Sequence, residues 1–449
     1  MSQRPKKRLA FVIAHLGPGG AQRVAATAAN ALAERGIEVH LITVQAEPQD
    51  AYEVDPRVVR HLPLPLPAPV ERTQGPVPWS LLRRGGLVIR HTLRHPVMKL
   101  PRGILRFGLK RSQGPAPRTF LRRAAGRVIH YTLRQPLVNI PRGILRYGLN
   151  FNRRAHWLRS VIRKIQPDAV LSFLTQTNIL TIAATRGTGL HTVISERNDL
   201  RLQLPRRRVA ALRRVLYRYS DVVTANSTGA VDSMRAFVPK HKLAFLPNPL
   251  RQFAPCEAVT FDGPTFITVT RLVEQKGVDI LLKAAAEAFE QLPTWRLAVI
   301  GDGPLRKAYE VLARELHITE RVDWIGQMPD PTPFLRAAQV FVLSSRFEGS
   351  PNALLEAMAL GLPSIVSDAS PGPLELVGSE EAGLIVPVED ASATAAAMIK
   401  LAGDDDLCRR LGEAAIKRTS IHQLDRAMDI WLDLLTLNAQ CVSPLSSQR

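Results

Sequence analysis

Short apolar runs and stretches of helical spacing alternate in the first part of the chain. Leu9–Ala14 is an apolar run of strand length, Ala21–Arg35 carries apolar residues at helical spacing, and Glu38–Val44 is again strand-like. A strand, a helix and a second strand in this order predict a βαβ unit of a parallel sheet. Four more strands are predicted further along, at residues 169–173, 192–194, 222–225 and 243–246.

The second half of the chain repeats this alternation more regularly. Five strands are predicted, at residues 266–270, 296–300, 322–325, 340–343 and 363–366, with a helix at 278–290 after the first of them. A chain of 449 residues also exceeds what one hydrophobic core usually holds. The predicted fold is therefore α/β, with two doubly wound, Rossmann-like domains that face a cleft.

Pro247-Asn248-Pro249 interrupts the pattern between the two halves, because proline does not continue a regular element. The predicted boundaries are an amino-terminal domain at 1–249, a linker at 250–263, a carboxyl-terminal domain at 264–422, and a closing helix at 423–441 with a tail to 449.

Polar residues and glycines follow several predicted strands of the first domain. Open α/β sheets bind ligands at the carboxyl ends of their strands. Glu196, Arg197 and Asn198 follow one strand, and His15 follows another, although a histidine that faces the core or caps the strand fits equally well. Gly19 and Gly20 precede a helix whose N-terminus suits an anion, but plain turn chemistry explains this glycine pair as well.

Two glutamates, Glu348 and Glu356, flank the start of a predicted helix in the second domain. Gly349 and Ser350 permit close backbone approach there, and the amides of Asn352, Ala353 and Leu354 lie in the first turn, where a phosphate is attracted. A carboxylate at each end of this segment suits sugar and ribose hydroxyls. Arg271 and Lys276, in the loop after another strand, supply the charge that a diphosphate needs. The spacing of the two glutamates and that of Arg271 and Lys276 are each common in proteins. A donor site is predicted because both occur together in one domain.

The net charge of +21 lies in one segment. Residues 72–167 contain 22 lysines and arginines and no acidic residue. Within them, residues 89–109 align with 129–149 at 13 of 21 identical positions. In each copy a proline precedes a predicted short helix. Arginines recur there beside apolar residues, at Arg102 and Arg106 and again at Arg142 and Arg146.

This basic repeat is interpreted as a partly helical insert at about residues 72–160 of the first domain. Arginines beside leucine, isoleucine and aromatic residues suit an anionic membrane surface, contacted through residues 83–147. A solvated or oligomer-contacting surface is the alternative. Nucleic acid is not expected as a partner, since no nucleic-acid-binding motif accompanies the charge.

The amino terminus resembles a signal peptide only superficially, because the apolar run is short and a glycine turn follows it. No apolar stretch reaches the roughly 18 residues of a spanning helix. The three cysteines are scattered without metal-ligand spacing, which is typical of a reducing compartment. We expect no metal site, with Asp404-Asp405-Asp406 read as a turn and helix cap, and a cytoplasmic protein, peripheral on the cytosolic face of a membrane.

Several of these segments together resemble the family 4 retaining glycosyltransferases, which have the GT-B fold. The matching segments are Thr270-Arg271-Leu272 to Lys276-Gly277, Gly301-Asp302-Gly303-Pro304, Phe347-Glu348-Gly349 to Glu356, Gly361-Leu362-Pro363 and Gly19-Gly20-Ala21-Gln22-Arg23. Gln22 stands where many members have glutamate. The resemblance covers about residues 1–60 and 165–435, and leaves out residues 65–160. Segments similar to Ile194–Asn198, and to Phe173-Leu174 with Asn178, occur in a subgroup that acts on polyprenyl-diphosphate-linked glycans.

The resemblance implies roles for residues on both sides of the cleft. Arg271 and Lys276 would hold the donor diphosphate, Glu348 the donor sugar and Glu356 the ribose. Phosphate contacts are implied for the backbone amides around Asn352, Ala353 and Leu354, and Gly349 and Ser350 belong to the same donor-binding segment. Gly19 and Gly20 would let the amino domain close over the diphosphate. Acceptor-side positions are implied for Glu196, Arg197 and Asn198. His15 is added to the acceptor side by its place after the first strand.

The expected function is transfer of a hexose or N-acetylhexosamine from a nucleotide sugar, without cofactor or metal. A UDP-sugar is favoured over a GDP-sugar as donor, and a glycan or polyprenyl-diphosphate-linked acceptor is expected. A soluble acceptor is one alternative, and a non-catalytic relative that binds sugar nucleotide or membrane is another.

Overall fold

A computed structural model describes residues 7–45, 50–63, 142–198, 200 and 207–436. The chain separates into two compact units, one of residues 1–65 with 155–449 and one of residues 66–154. Both sheets described below belong to the first unit. Of the second unit, the described part is the start of one helix, and the predicted repeats with Arg102 and Arg106 lie outside the described residues.

The amino-terminal part of the first unit contains a seven-stranded parallel sheet. Its strands are β1 (Arg8–Ile13), β2 (Glu38–Thr43), β3 (Val59–His61), β4 (Ala169–Phe173), β5 (His191–Glu196), β6 (Val222–Ala225) and β7 (Leu243–Phe245). They lie in the order β3-β2-β1-β4-β5-β6-β7, all parallel to their neighbours. The accompanying helices are α1 (Gly20–Glu34), α2 (Arg142–Ile165), α3 (Thr175–Thr185), α4 (Arg207–Leu216) and α5 (Thr228–Met234).

The carboxyl-terminal part contains a six-stranded parallel sheet. Its strands are β8 (Thr265–Val269), β9 (Arg296–Ile300), β10 (Val322–Gly326), β11 (Val340–Leu343), β12 (Ser364–Ser367) and β13 (Leu384–Val386). They lie in the order β10-β9-β8-β11-β12-β13, again all parallel. The helices are α6 (Val278–Gln291), α7 (Arg306–Glu315), α8 (Thr332–Ala337), α9 (Asn352–Ala359), α10 (Pro371–Val377), α11 (Ala391–Ala402), α12 (Asp405–Arg418) and α13 (Leu424–Thr436).

Both sheets have a point at which the strand order reverses. β1 lies beside β4 in the first sheet, and β8 lies beside β11 in the second. The chain leaves these neighbouring strands in opposite directions, which opens a crevice at their carboxyl ends. The predicted fold of two doubly wound, Rossmann-like domains is therefore confirmed for the described residues.

Apart from the edge strands β3 and β10, most strands are buried on both faces, which explains their nearly continuous apolar runs. Phe11 of β1 and Phe173 of β4 are fully buried, and the Trp431 ring of α13 lies 6.0 Å from each of their ring centroids. Helix α13 follows the carboxyl-terminal domain in sequence, yet it completes the amino-terminal core. Truncation of so large a buried ring usually costs about 3–5 kcal/mol.

Several element predictions were incomplete, and the strand β13 (Leu384–Val386) was not predicted. β3 was not predicted, since Val59-Arg60-His61 forms no apolar run. The helix after Pro141, predicted as short, continues as the 24-residue α2. The predicted strand at 192–194 extends to Glu196, because Ser195 and Glu196 still pair with β6.

One smaller expectation, the cap at Asp404, is confirmed. Asp404 caps α12, accepting a hydrogen bond from the Leu407 N–H at 2.8 Å. In the part of the chain that the structure describes, no helix is long and apolar enough to cross a bilayer.

Candidate active site

A cleft of about 560 Å³ lies at the carboxyl ends of both sheets. Ligand sites typically measure roughly 300–1,000 Å³. Its amino-terminal wall is formed by residues that follow β1, β4 and β5, and its carboxyl-terminal wall by residues that follow β8, β9 and β11. Both points of strand reversal therefore open into the same cavity.

Lys276 and Glu348 form an ion pair in this cleft. Lys276 precedes α6, and its Nζ lies 2.5 Å from Oε1 of Glu348, which follows β11. The hydroxyl of Ser345 donates to the same carboxylate oxygen at 2.8 Å, and the Glu348 N–H donates to Ser370 Oγ at 2.9 Å. Because Glu348 is only 6% exposed, the contacts of its carboxylate with Lys276 and Ser345 offset the cost of burying its charge.

Glycine lets the two loops that carry this pair approach each other. Gly277 follows Lys276 with φ +61°, and a Cβ at this position would lie 2.1 Å from Ser344 O. Only glycine adopts such a backbone without strain or clash. Arg271, which follows β8, is exposed on the same wall of the cleft. Two basic side chains, Arg271 and Lys276, thus line the carboxyl-terminal wall.

Helix α9 begins at the cleft. Gly349, Ser350, Asn352 and Ala353 line the cavity, and the amides of the first turn lack partners within the helix. A Cβ at Gly349 would lie 2.3 Å from Arg197 O, so glycine is required where this segment meets the amino-terminal domain. Leu354 does not line the cavity and its side chain packs in the carboxyl-terminal core, while the phosphate contact of its backbone amide stays a prediction.

Glu356 lies one turn further along α9 and outside the lining of the cleft. It borders a small adjoining cavity, where its Oε1 lies 3.1 Å from Arg23 Nη2 and 3.4 Å from Arg251 Nε. Its other oxygen, Oε2, is buried and accepts no hydrogen bond from the described part of the chain. The ribose contact of Glu356 stays a prediction, and it would use Oε2 or displace Arg23.

The glycine loop, Gly19-Gly20, is held from both domains. The Tyr52 hydroxyl accepts from the Gly19 N–H and donates to the Gly19 carbonyl, both at 3.0 Å. Asn352 Nδ2 donates to the Gly20 carbonyl at 3.2 Å. His15 lines the cleft beside this loop, with its Nδ1 accepting from the Gly17 N–H at 3.1 Å.

Of the three polar residues predicted after β5, Arg197 and Asn198 line the cleft and Glu196 does not. The Arg197 guanidinium carbon lies 5.1 Å from the Phe173 ring centroid and 5.4 Å from that of Trp431. Burial lowers the pKa of Arg197 to about 9. The two aromatic faces attract the buried cation and stabilise it.

Glu196 is instead part of a buried hydrogen-bond network. Thr175 Oγ1 donates to its Oε1 at 2.7 Å, and the Tyr217 hydroxyl donates to the same oxygen. Burial raises the pKa of Glu196, while the hydrogen bonds from Tyr217 and Thr175 act in the opposite direction. Burial and the neighbouring carboxylate likewise raise the pKa of Tyr217. Here Glu196 ties β5 to the segment that follows α4.

Three residues at or beside the cleft have no role in the sequence predictions: Arg23, Tyr52 and Asn248. Tyr52 lies in a loop without a helix or strand signal. Asn248 was visible only as part of a break in the pattern, although a polar residue between two prolines is itself unusual.

Leu174 also lines the cleft, with φ +73°, and strain of this kind clusters at functional sites.

Two protein-family models match the chain. The glycosyl transferase 4-like domain matches residues 19–249, and glycosyl transferases group 1 matches residues 258–418. The first match alone covers half of the chain.

Curated relatives match over shorter regions. The lipopolysaccharide core biosynthesis glycosyltransferase LpsE of Rhizobium meliloti is 37% identical over 176 residues, 39% of this chain and 50% of that protein. An exopolysaccharide phosphotransferase of Streptomyces coelicolor is 34% identical over 197 residues, 43% of this chain and 21% of that protein. A Campylobacter jejuni α-1,4-N-acetyl-D-galactosaminyltransferase, named for a glycan on PP-undecaprenol, is 28% identical over 284 residues, 62% of this chain and 77% of that protein. The chain thus spans half or less of the length of the first two relatives.

Solved structures match almost the whole chain. Sucrose-phosphate synthase from Thermosynechococcus elongatus has a TM-score of 0.66 at 18% identity, over 96% of this chain and 98% of that one. Anabaena HepE in complex with UDP has a TM-score of 0.64 at 13% identity, over 96% and 99%. At these identities the likeness shows the fold alone. Together, the two matching models and the pair of Rossmann-like domains around one cleft show that the chain belongs to the family 4 glycosyltransferases of the GT-B fold.

Proposed function

We propose that the protein is a retaining, metal-independent glycosyltransferase. It moves a hexose or N-acetylhexosamine from a nucleotide sugar to a lipid-linked or polysaccharide acceptor. The observation that carries the proposal is the pairing of Lys276 with Glu348 beside Arg271 and the start of α9, opposite the glycine loop, in one cavity. A nucleotide sugar needs cations for its diphosphate and oxygen acceptors for its sugar hydroxyls, and this cleft offers both.

On the donor side, Arg271, Lys276 and the amides of α9 stabilise the negative charge that develops on the leaving nucleoside diphosphate. These groups take the place of a divalent ion. Glu348 accepts hydrogen bonds from sugar hydroxyls while its other contacts hold it in place. A UDP-sugar is proposed as donor over a GDP-sugar; HepE, which shares the fold, has been solved in complex with UDP.

The anomeric configuration of the transferred sugar is retained because the leaving group is assisted and the acceptor attacks the same face of the sugar. Among the described residues of the amino-terminal wall, no aspartate or glutamate lines the cleft. A covalent intermediate on a carboxylate of that wall is therefore not part of the proposal. The acceptor hydroxyl attacks from the side of Arg197, Asn198 and His15, with the departing diphosphate taking its proton.

The acceptor is proposed to be carried on a polyprenyl diphosphate at the cytosolic membrane face. Two Campylobacter jejuni relatives are named for glycans on undecaprenyl diphosphate. The predicted membrane segment, residues 83–147, lies almost entirely outside the described residues, so its contact with lipid stays a prediction.

A second basic stretch supports a membrane-facing side of the amino-terminal domain. Residues 200–220, around α4, contain seven arginines and no acidic residue. One face of α4 and the turn after it exposes Leu212, Val215 and Tyr219, which are 44%, 51% and 43% exposed. Two exposed arginines, at positions 214 and 218, flank this apolar face. An exposed apolar helix face flanked by basic side chains is typical of attachment to anionic lipid.

The donor site is tested by a thermal-shift panel of UDP, GDP, ADP and dTDP. A ligand at 100 times its Kd stabilises a protein by about 2.7 kcal/mol. We expect UDP to raise the midpoint, and Lys276→Ala to lose most of that shift because the diphosphate loses a cation. Lys283→Ala, an exposed lysine on α6, is the matched control and should keep the shift. No shift with any of the four nucleotides would contradict the proposal.

Transfer is tested with membrane fractions or a synthetic lipid-linked acceptor and labelled UDP-sugars. Glu348→Ala should abolish transfer and keep the fold, since the carboxylate lies at the sugar site. Wild-type turnover in this variant would overturn the assignment of Glu348.

A further inference from the structure

Asn248 lies where the amino-terminal domain, the linker and the carboxyl-terminal domain meet. It is 2% exposed, and its side-chain amide is fully engaged. Arg197 Nη1 donates to its Oδ1 at 2.7 Å. Its Nδ2 donates to the Ser350 carbonyl at 3.0 Å and to Asn352 Oδ1 at 2.7 Å. One amide thus contacts the residue after β5 and the N-terminus of α9.

The chemistry of the partners sets the orientation of two amides in series. Arginine is only a donor, so Asn248 must turn its oxygen toward Arg197. The Ser350 carbonyl is only an acceptor, so the Asn248 nitrogen must point toward α9. Asn352 then presents its oxygen to Asn248 and its own Nδ2 to the Gly20 carbonyl, at 3.2 Å. We call this chain from Arg197 through Asn248 and Asn352 to Gly20 the amide relay.

The start of the relay is rigidly held. Pro247 and Pro249 restrict the backbone on both sides of Asn248. The Pro247 carbonyl accepts from Trp431 Nε1, and the Asn248 carbonyl accepts from His422 Nδ1, both at 2.9 Å. Asn248 is therefore a fixed point from which the contacts to Ser350 and Asn352 extend.

The relay ends on the two backbone segments that would grip a donor diphosphate. Asn352 is the first residue of α9, whose N-terminus lines the cleft, and Gly20 belongs to the glycine loop and is the first residue of α1. A small change in the orientation of Asn352 would move these segments apart, and misplacement by about 1 Å at a reacting centre can cost roughly 100-fold in rate.

We propose that Asn248 is a positioning residue for glycosyl transfer, which orients Asn352 so that the glycine loop and the start of α9 close on the same diphosphate. The inference rests on the proposed function for its catalytic consequence. Asn248 itself touches neither donor nor acceptor in this role, and it acts through Asn352.

The decisive variant is Asn248→Asp, which has nearly the same shape. Its carboxylate still accepts from Arg197, so that buried cation keeps its partner and the fold is preserved. A carboxylate has no proton to donate, so it faces the Ser350 carbonyl and Asn352 Oδ1 without a hydrogen bond. If Asn352 rotates its amide to compensate, its oxygen then faces the Gly20 carbonyl.

We expect Asn248→Asp to lower kcat by roughly 100-fold while KM for the donor changes by only a few-fold. Gln291→Glu, which converts an exposed amide of α6 to a carboxylate, should leave both constants unchanged. A purely structural role would instead leave kcat intact once the variant is folded, as checked by its thermal midpoint. Wild-type kcat in Asn248→Asp would overturn the proposal.

A measurement without substrate separates this inference from the proposed function. In hydrogen–deuterium exchange, amides of residues 19–24 and 349–355 should exchange about tenfold faster in Asn248→Asp than in the wild type. The exchange rates of amides in the buried strands of the two sheets should not change. If the wild type transfers no sugar but this exchange difference is seen, the relay stands and the proposed function fails. If transfer is found and exchange is unchanged, the relay is wrong.

Discussion

At the scale of single residues, each buried charge near the cleft has a specific partner. Glu348 is held by Lys276, Glu356 by Arg23, and Arg197 by two aromatic faces. Burial of an unpaired ion costs several kcal/mol, so these partners stabilise the folded chain as well as forming parts of a site. The residue type at a position is readable from the sequence, whereas its partner is not.

The burial of Glu196 among its hydrogen-bond partners can be tested by measuring stability as a function of pH. Its raised pKa means that the folded state retains a proton that the unfolded state has already released, so stability falls as the pH rises above the ordinary carboxyl range. Glu196→Gln keeps an acceptor for Tyr217 and Thr175 and removes the titration. We expect the free energy of unfolding of this variant to increase relative to that of the wild type as the pH rises from the ordinary carboxyl range toward the raised pKa of Glu196.

Denaturant titrations at several pH values measure this difference. A pH-independent difference between Glu196→Gln and the wild type would contradict the burial of a titrating carboxyl group. Because Glu196 does not line the cleft, transfer should persist in the same variant.

At the scale of elements, the site is made where helices start. α1 begins after β1, α6 after β8 and α9 after β11, and all three loops reach the same cleft. Parallel strands place every such loop at one edge of the sheet, and each helix N-terminus favours an anion there. Tight backbone turns decide how closely the loops approach, and Gly277 is the clearest case.

We predict that Gly277→Ala weakens both stability and donor binding. A left-handed backbone costs an alanine about 1 kcal/mol, and here the new Cβ would also meet Ser344 O at 2.1 Å. The resulting shift would separate Lys276 from Glu348. Gly36→Ala is the matched control, with φ +81° and no described atom within 4 Å of the added Cβ.

Chemical denaturation and the UDP thermal shift are measured for both glycine variants. Gly36→Ala should lose about 1 kcal/mol and keep the nucleotide shift. Gly277→Ala should lose more than that and lose the shift as well. Equal effects of the two substitutions would argue against a close approach at Gly277.

At the scale of the molecule, the two domains are joined by more than their linker. α13 returns to the amino-terminal core, and Glu375 of α10 accepts from the Thr228 and Gly229 N–H groups at the start of α5, both at 2.7 Å. The amide relay and the Arg23–Glu356 pair add further links. Charge is distributed unevenly over the chain, and the basic face of α4 gives the amino-terminal domain a side suited to anionic lipid.

Lipid attachment is expected to depend on that face. Arg214→Gln with Arg218→Gln removes two charges, each worth about 1 kcal/mol near an anionic surface, so binding should weaken by roughly 30-fold. Co-sedimentation with phosphatidylcholine vesicles, with and without phosphatidylglycerol, measures the change. Leu212→Ser with Val215→Ser should weaken binding too, whereas Val311→Ser, equally exposed at 44% on α7, should not. Unchanged binding in both double variants would remove α4 from the proposed membrane surface.

Most elements of both sheets were predictable because apolar periodicity is a local property of the chain. β8, β9 and β11 begin or end within a residue of their predicted bounds. β3 was missed because its three residues are set by pairing with β2. The end of β5 was misplaced for the same kind of reason, since a buried Glu196 is tolerated only because Tyr217 and Thr175 supply hydrogen bonds.

The sequence by itself predicted the two doubly wound domains, the grouping of Arg271, Lys276 and Glu348 at one cleft, and the family, because residue types, their spacing and the ends of strands are local features of the chain. Only the tertiary structure decided that Glu356 faces Arg23, that Asn248 joins both domains, and that Trp431 completes the first core. These contacts join residues far apart in sequence. Their existence depends on how two sheets and three loops pack, which no local pattern encodes.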